Sequence, residues 1–170
     1  MIYKQKDVRS IKKPIKNPKG QKGFTLIEIL VVIGIIAVLA AVVLVAINPA
    51  RQFKLARDSQ RMSNVTALLN AVSQNIAEHK GIFDCSVALP TTIKVISNMP
   101  ALAPNAIANI GPCLVPAYIS ALPFDPSVHG AQYTEINTDY HTAYSIIQDA
   151  EGRVTVSAVG EITPIISVTR

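Results

Sequence analysis

Phe24 to Ile47 form an apolar run of 24 residues broken by one ionisable group, Glu28. A carboxylate inside a membrane-length segment costs roughly 2.5–3.5 kcal/mol on insertion scales. Its chemistry is therefore that of a charge waiting for a cation. Lys22-Gly23 stands immediately before Phe24. Glycine there leaves the backbone open to close approach, with no side chain in the way.

Other reactive side chains are sparse. Cys85 and Cys113 are the two cysteines, and His79, His129 and His141 are the three histidines. No H-E-x-x-H, G-x-S-x-G or glycine-rich phosphate loop occurs. Each histidine reads as a surface or hydrogen-bonded residue. The acids Asp125, Asp139, Asp149 and Glu151 are scattered and read as turn residues rather than ligands. No catalytic residue, cofactor or metal site is expected, and the chain does not read as an enzyme.

The elements that must carry these groups follow from hydropathy and charge. Twenty-four residues of helix extend about 36 Å, enough to cross a hydrocarbon core of about 30 Å. A cleaved secretory signal has a shorter apolar region and a small-residue A-x-A site; residues 24–50 contain none. The run also lacks the polar stripe of a buried core helix. It reads as a single membrane span.

The net charge of +5 hides an asymmetry. Residues 1–23 hold eight Lys or Arg against Asp7, which is +7, and the remainder holds eight against ten acids, which is −2. Basic character confined to a tail argues against nucleic acid as a partner of the folded part. The excess before the span places the N-terminus in the cytoplasm of a plasma (inner) membrane protein, with the bulk of the chain outside. In that oxidising setting Cys85 and Cys113 are expected to form a disulfide. Two free thiols, or zinc with His129 and His141, are the alternatives, the latter without a C-x-x-C spacing.

Four segments result. Residues 1–23 are a basic leader with Pro14 and Pro18. Residues 24–47 are the span. Residues 48–81 are an amphipathic helix with an apolar stripe at Leu55, Met62, Val65, Leu69, Val72 and Ile76, ending near Gly81. Asn48-Pro49 either caps this helix afresh or kinks one long helix. Residues 82–170 form an extracytoplasmic globular region. Its first part, to residue 130, is proline-rich and reads as loops with one short helix. Strands are expected at 132–138, 142–149, 153–159 and 164–169, with a hairpin turn at 149–152. Arg51, Lys54, Arg57 and Arg61 share one helix face beyond the span. They are expected to meet lipid head groups or the acids of neighbouring subunits.

Lys22-Gly23-Phe24-Thr25-Leu26-Ile27-Glu28 resembles the prepilin signature of type IV pilins and the pseudopilins of type II secretion. The resemblance covers about 30 residues and implies an α+β fold. In it a long N-terminal helix packs its second half on an antiparallel sheet of three or four strands. It also implies a structural subunit of a pilus or pilus-like filament, with a type II secretion pseudopilin as the alternative. A prepilin peptidase would cut between Gly23 and Phe24 and methylate the Phe24 amine. Glu28 would set register between subunits. Partners would be membrane lipid before assembly, an inner-membrane assembly platform, further copies and minor pilins, in an extracellular or periplasmic filament. Leu122-Pro123-Phe124-Asp125-Pro126 resembles a segment of the major pseudopilins, but their following tryptophan is absent and their calcium loop is not recognisable. Val45 stands where pilins commonly carry proline.

Overall fold

The computed structural model describes residues 23–99, 106–135 and 139–170. Of the leader expected over residues 1–23 all but Gly23, and of the strand expected at 132–138 the last three residues, lie outside these. The chain divides into two units, at Ala46/Ile47.

The first unit is helix α1, Leu26–Ile47. Its most apolar 18-residue stretch has mean hydropathy 3.4, and no residue of the helix is buried by the rest of the described chain.

The second unit begins with helix α2, Pro49–Glu78. Asn48 takes a left-handed conformation (φ 46°) and its side chain accepts from the Arg51 amide. Pro49 follows at the first helical position, where its missing N–H costs nothing. Of the two sequence alternatives, Asn48-Pro49 therefore caps a new helix. At the far end the Gly81 amide donates to the Ile76 carbonyl at 2.9 Å, and Gly81 has φ +91°, a conformation glycine adopts freely.

Six strands form the sheet: β1 (Lys94–Ser97), β2 (Ile107–Ala108), β3 (Gln132–Glu135), β4 (Asp139–Gln148), β5 (Val154–Val159) and β6 (Ile165–Thr169). A short helix, α3 (Gly111–Leu114), follows β2. The order is β2-β1-β4-β5-β6, and β3 pairs with β4. All pairings are antiparallel except β1 with β2. The sheet is thus mixed and larger than the three or four antiparallel strands expected. The two additional strands are four and two residues long and sit in the proline-rich stretch, too short to show an alternating pattern.

The core lies between α2 and one face of the sheet. Along β4 burial alternates, so Tyr140, Thr142, Tyr144 and Ile146 point inward, as the period of two requires. Tyr140, Tyr144 and Ile146 join Val65, Leu68, Leu69 and Val72 of α2 in one cluster. The buried tyrosines keep their hydroxyls satisfied: Tyr140 donates to Asn109 at 2.6 Å, and Tyr144 accepts from Asn64 at 2.9 Å. The β4–β5 turn closes as expected, with the Gly152 amide donating to the Asp149 carbonyl at 3.1 Å.

Cys85 and Cys113 form the expected disulfide, joining the loop after α2 to α3 across a separation of 28 residues. Closing a loop of that size contributes about 3–4 kcal/mol in the chain-entropy model. Replacing both cysteines by serine should therefore lower the thermal midpoint of the second unit, followed by circular dichroism of the full chain, by roughly 10 °C. A midpoint unchanged within error would show that the bridge does not hold the loop.

Candidate functional site

The site begins where α1 begins. Thr25 precedes the first residue of α1 and Glu28 is the third residue inside it. The Glu28 amide donates to Thr25 Oγ1 at 3.3 Å. In return Glu28 Oε2 accepts from the Thr25 amide and the Thr25 hydroxyl, each at 2.7 Å. This is the reciprocal T-x-x-E capping box, which satisfies two otherwise orphaned amides at a helix start. The negative charge also lies at the positive end of the helix dipole. Sequence reading singled out Glu28 as a charge in need of a partner and missed Thr25. The spacing of Thr25 and Glu28 was the available signal.

The capping box leaves the carboxylate half used. Oε1 accepts no hydrogen bond among the described residues, so Glu28 can hold a further donor without losing its cap. Gly23 and Phe24 lie at the entrance to α1 and both are exposed. A Cβ at Gly23 would meet nothing within 4 Å, so packing inside the subunit does not require glycine there.

The second charged constellation lies in the second unit and corrects an expectation. Arg57 and Arg61 are engaged by acids of their own chain rather than left for lipid or a neighbour. Arg61 is 1% exposed. Its Nε and Nη2 grip Asp125 at 2.7 and 3.0 Å, Nη1 bonds Asp58 at 2.7 Å and Glu161 at 3.2 Å, and Nη2 also donates to Ser127 at 2.5 Å. A guanidinium has five N–H donors, and these five bonds use them all. Arg57 binds Glu161 through two bonds of 2.6 Å. Asp58 accepts from three successive amides, Glu161, Ile162 and Thr163, at 2.8–3.1 Å. Gly160 must lead into this turn, because a Cβ there would lie 2.1 Å from the Thr163 carbonyl oxygen.

Electrostatics follow geometry. The Glu161 amide, then those of Ile162 and Thr163, outweigh burial and hold the Asp58 carboxyl well below the usual range. The hydrogen bonds from Arg57 draw Glu161 down to about 2. Burial alone would raise Asp125, yet Arg61 and the Ser127 and Val128 amides keep it lowered. Asp125, read from the sequence as a turn acid, thus ties the 122–127 loop to α2. The three carboxylates around Arg61, those of Asp58, Asp125 and Glu161, are all engaged by its guanidinium. Among the described residues no group of three His, Cys, Asp or Glu is arranged to hold a metal ion.

The stripe predicted on α2 is correspondingly part apolar and part charged. Val65, Leu69 and Val72 are fully buried and Ile76 packs against the core, but Met62 is 44% exposed. Asp58, Arg61 and Asn75 extend the same face. Of the remaining sequence candidates, His79 bonds the Asn75 carbonyl at 2.8 Å and Asp84 at 3.2 Å. His129 is exposed, and His141 is half-buried. Asp149 organises its turn through the Glu151 and Arg153 amides, and Asp139 holds Gln132. Nothing here pairs a nucleophile with a base.

Breaking a buried ion pair by removing one partner costs about 3–5 kcal/mol. Arg61→Met leaves Asp58, Asp125 and Glu161 facing an apolar side chain. The thermal midpoint of the full chain should drop by roughly 10 °C or more. A midpoint within about 2 °C of the parent would mean that the network is not what joins α2 to the two loops.

Two comparisons with known proteins agree with this geometry. The family described as the prokaryotic N-terminal methylation motif matches residues 18–44. Over 127 residues, 75% of this chain and 79% of the relative, the chain is 32% identical to the type II secretion system core protein G of Escherichia coli (strain K12). No solved structure matches the chain. The methylation motif, the uncovered apolar helix and the α+β body together place the chain in the type IV pilin and pseudopilin family, whose members are structural subunits.

Proposed function

We propose that the chain is inserted in the membrane as a prepilin, processed, and polymerised through α1 into a pilus-like filament. One observation carries this reading: a 22-residue apolar helix, none of it buried by the described residues, with Glu28 in its first turn. Such a surface needs lipid or other helices around it. Lipid serves the unassembled subunit, and the α1 helices of further copies serve the filament.

Residues 1–23 form the leader, removed by prepilin peptidase between Gly23 and Phe24. The new Phe24 amine is methylated and remains cationic. It offers the donor that Glu28 Oε1 lacks, on a neighbouring copy. A subunit offset along the filament leaves both charges buried and unpaired, which is unfavourable by several kcal/mol. Glu28 thereby specifies register. The inner-membrane assembly platform and minor pilins act as further partners. The N-terminus starts in the cytoplasm and the second unit outside.

The filament reads as that of a secretion pseudopilin. Support comes from the relative named as a type II secretion core protein and from the Leu122–Pro126 segment, whose Asp125 anchors Arg61. A type IV pilus is the second reading, favoured by the absence of tryptophan after that segment. Deleting the chain's gene separates them: loss of exported enzymes with intact surface pili supports the pseudopilin, and the reverse supports the pilus.

Intact mass of purified filaments should begin at Phe24 with one methyl group added. A chain retaining residues 1–23 would overturn the processing scheme. Glu28→Val should leave insertion and cleavage intact, since valine buries more easily than a carboxylate. Sheared filaments should fall to a small fraction of the parent. Parental amounts of filament from this variant would show that Glu28 does not align the subunits.

A further inference from the structure

The four cations at the start of α2 divide into two pairs. Arg57 and Arg61 are consumed by Glu161, Asp125 and Asp58. Arg51 and Lys54 are exposed, and neither side chain meets an acid among the described residues. Phe53 lies between them and is 64% exposed. From Ile47 to Arg57 the chain has three cations and no acid. Asp58, which ends that stretch, is already held by Arg61 and three amides.

Position in the chain limits where this patch can be. Arg51 follows the last residue of α1 by four positions, so its Cα lies within about 14 Å of that residue in any conformation. Polar head groups occupy roughly the first 5–8 Å outside the hydrocarbon core. A long cationic side chain on such a tether reaches them while its stem stays against apolar surface. An exposed aromatic ring flanked by cations at this depth suits the interface between hydrocarbon and water.

Several acids that a second copy could offer already have a partner: Asp84 meets His79, Asp149 and Glu151 meet Arg153, Asp139 holds Gln132, and Glu78 accepts from Tyr118. Phosphate of a lipid head group is the complementary anion that lies at this depth. We propose that Arg51, Phe53 and Lys54 form a docking patch for anionic phospholipid in the leaflet beside the second unit. It selects such lipid around the unassembled subunit. This inference rests on the membrane-inserted state proposed above.

The full chain, reconstituted in phosphatidylcholine vesicles, tests it. Electron spin resonance with spin-labelled phosphatidylglycerol or phosphatidylcholine measures the relative association of each lipid with the protein. The Arg51→Gln/Lys54→Gln chain should lose preference for phosphatidylglycerol by at least about fivefold at low salt, as about 1 kcal/mol per surface cation requires. Lys80→Gln/Lys94→Gln, which removes the same charge elsewhere on the second unit, should leave the preference unchanged. The leader is common to all chains and cancels in the comparison. Equal preference in parent and double variant overturns the patch. So does a variant that loses cross-links between copies while its lipid preference stands, since the cations would then serve a neighbouring subunit. A chain that fails to float with the vesicles at all contradicts the membrane-inserted state itself, which is a separate result.

Discussion

The behaviour of the chain answers to one constraint: α1 is left uncovered by the described residues of its own chain. Its 22 residues, Glu28 the one charged group among them, stand with none buried. Water is an unfavourable solvent for that surface at every position, at roughly 25 cal/mol per Å². Two settings would suit it, a bilayer and a bundle of like helices. In the proposed function, passage from one to the other is the assembly step. The energy of apolar contact is similar in both, because lipid tails and leucine-like side chains are equally apolar. What distinguishes the settings must then be polar, and α1 has one charged group.

The two charged constellations differ in a way that suits this division. Around Arg61 every donor is used and three carboxylates are held by partners from α2, the 122–127 loop and the 160–163 turn. That network is closed. It fixes three pieces of one subunit and leaves nothing to bind. At Glu28 the capping box uses one oxygen and leaves the other available. That site is open. A free subunit can thus carry Glu28 partly satisfied by Thr25, which moderates the cost of keeping it near a membrane, and still complete it on assembly. The second unit is held by its own core, its disulfide and its buried ions.

Much of this was legible in the sequence because the strongest signals are long or periodic. The apolar run, the strands read at 142–149, 153–159 and 164–169, and the Asn48-Pro49 cap, one of two readings of that pair, appear in the structure close to where they were read. The failures have physical causes. Arg57 and Arg61 were taken as outward-facing because charged residues on an amphipathic helix usually face solvent. Burial of Arg61 becomes favourable only when Asp125 and Glu161, 64 and 100 residues later, supply its partners. No local pattern encodes such a meeting. Strands β1 and β2 escaped because β2 has two residues and gains its order from pairing in parallel with β1. Thr25 was readable but was passed over as part of a motif, whereas its hydroxyl and amide are what hold the Glu28 carboxylate.

The claim that joins these observations is that α1 trades lipid for the α1 helices of other copies, with Glu28 as the polar reference. Helical reconstruction of assembled filaments tests it most directly. The account predicts α1 helices bundled at the filament axis, with each Glu28 carboxylate within about 4 Å of the Phe24 amine of a neighbouring copy. A filament in which α1 lies at the outer surface, or in which Glu28 faces only its own Thr25 with no amine from another copy nearby, would contradict it.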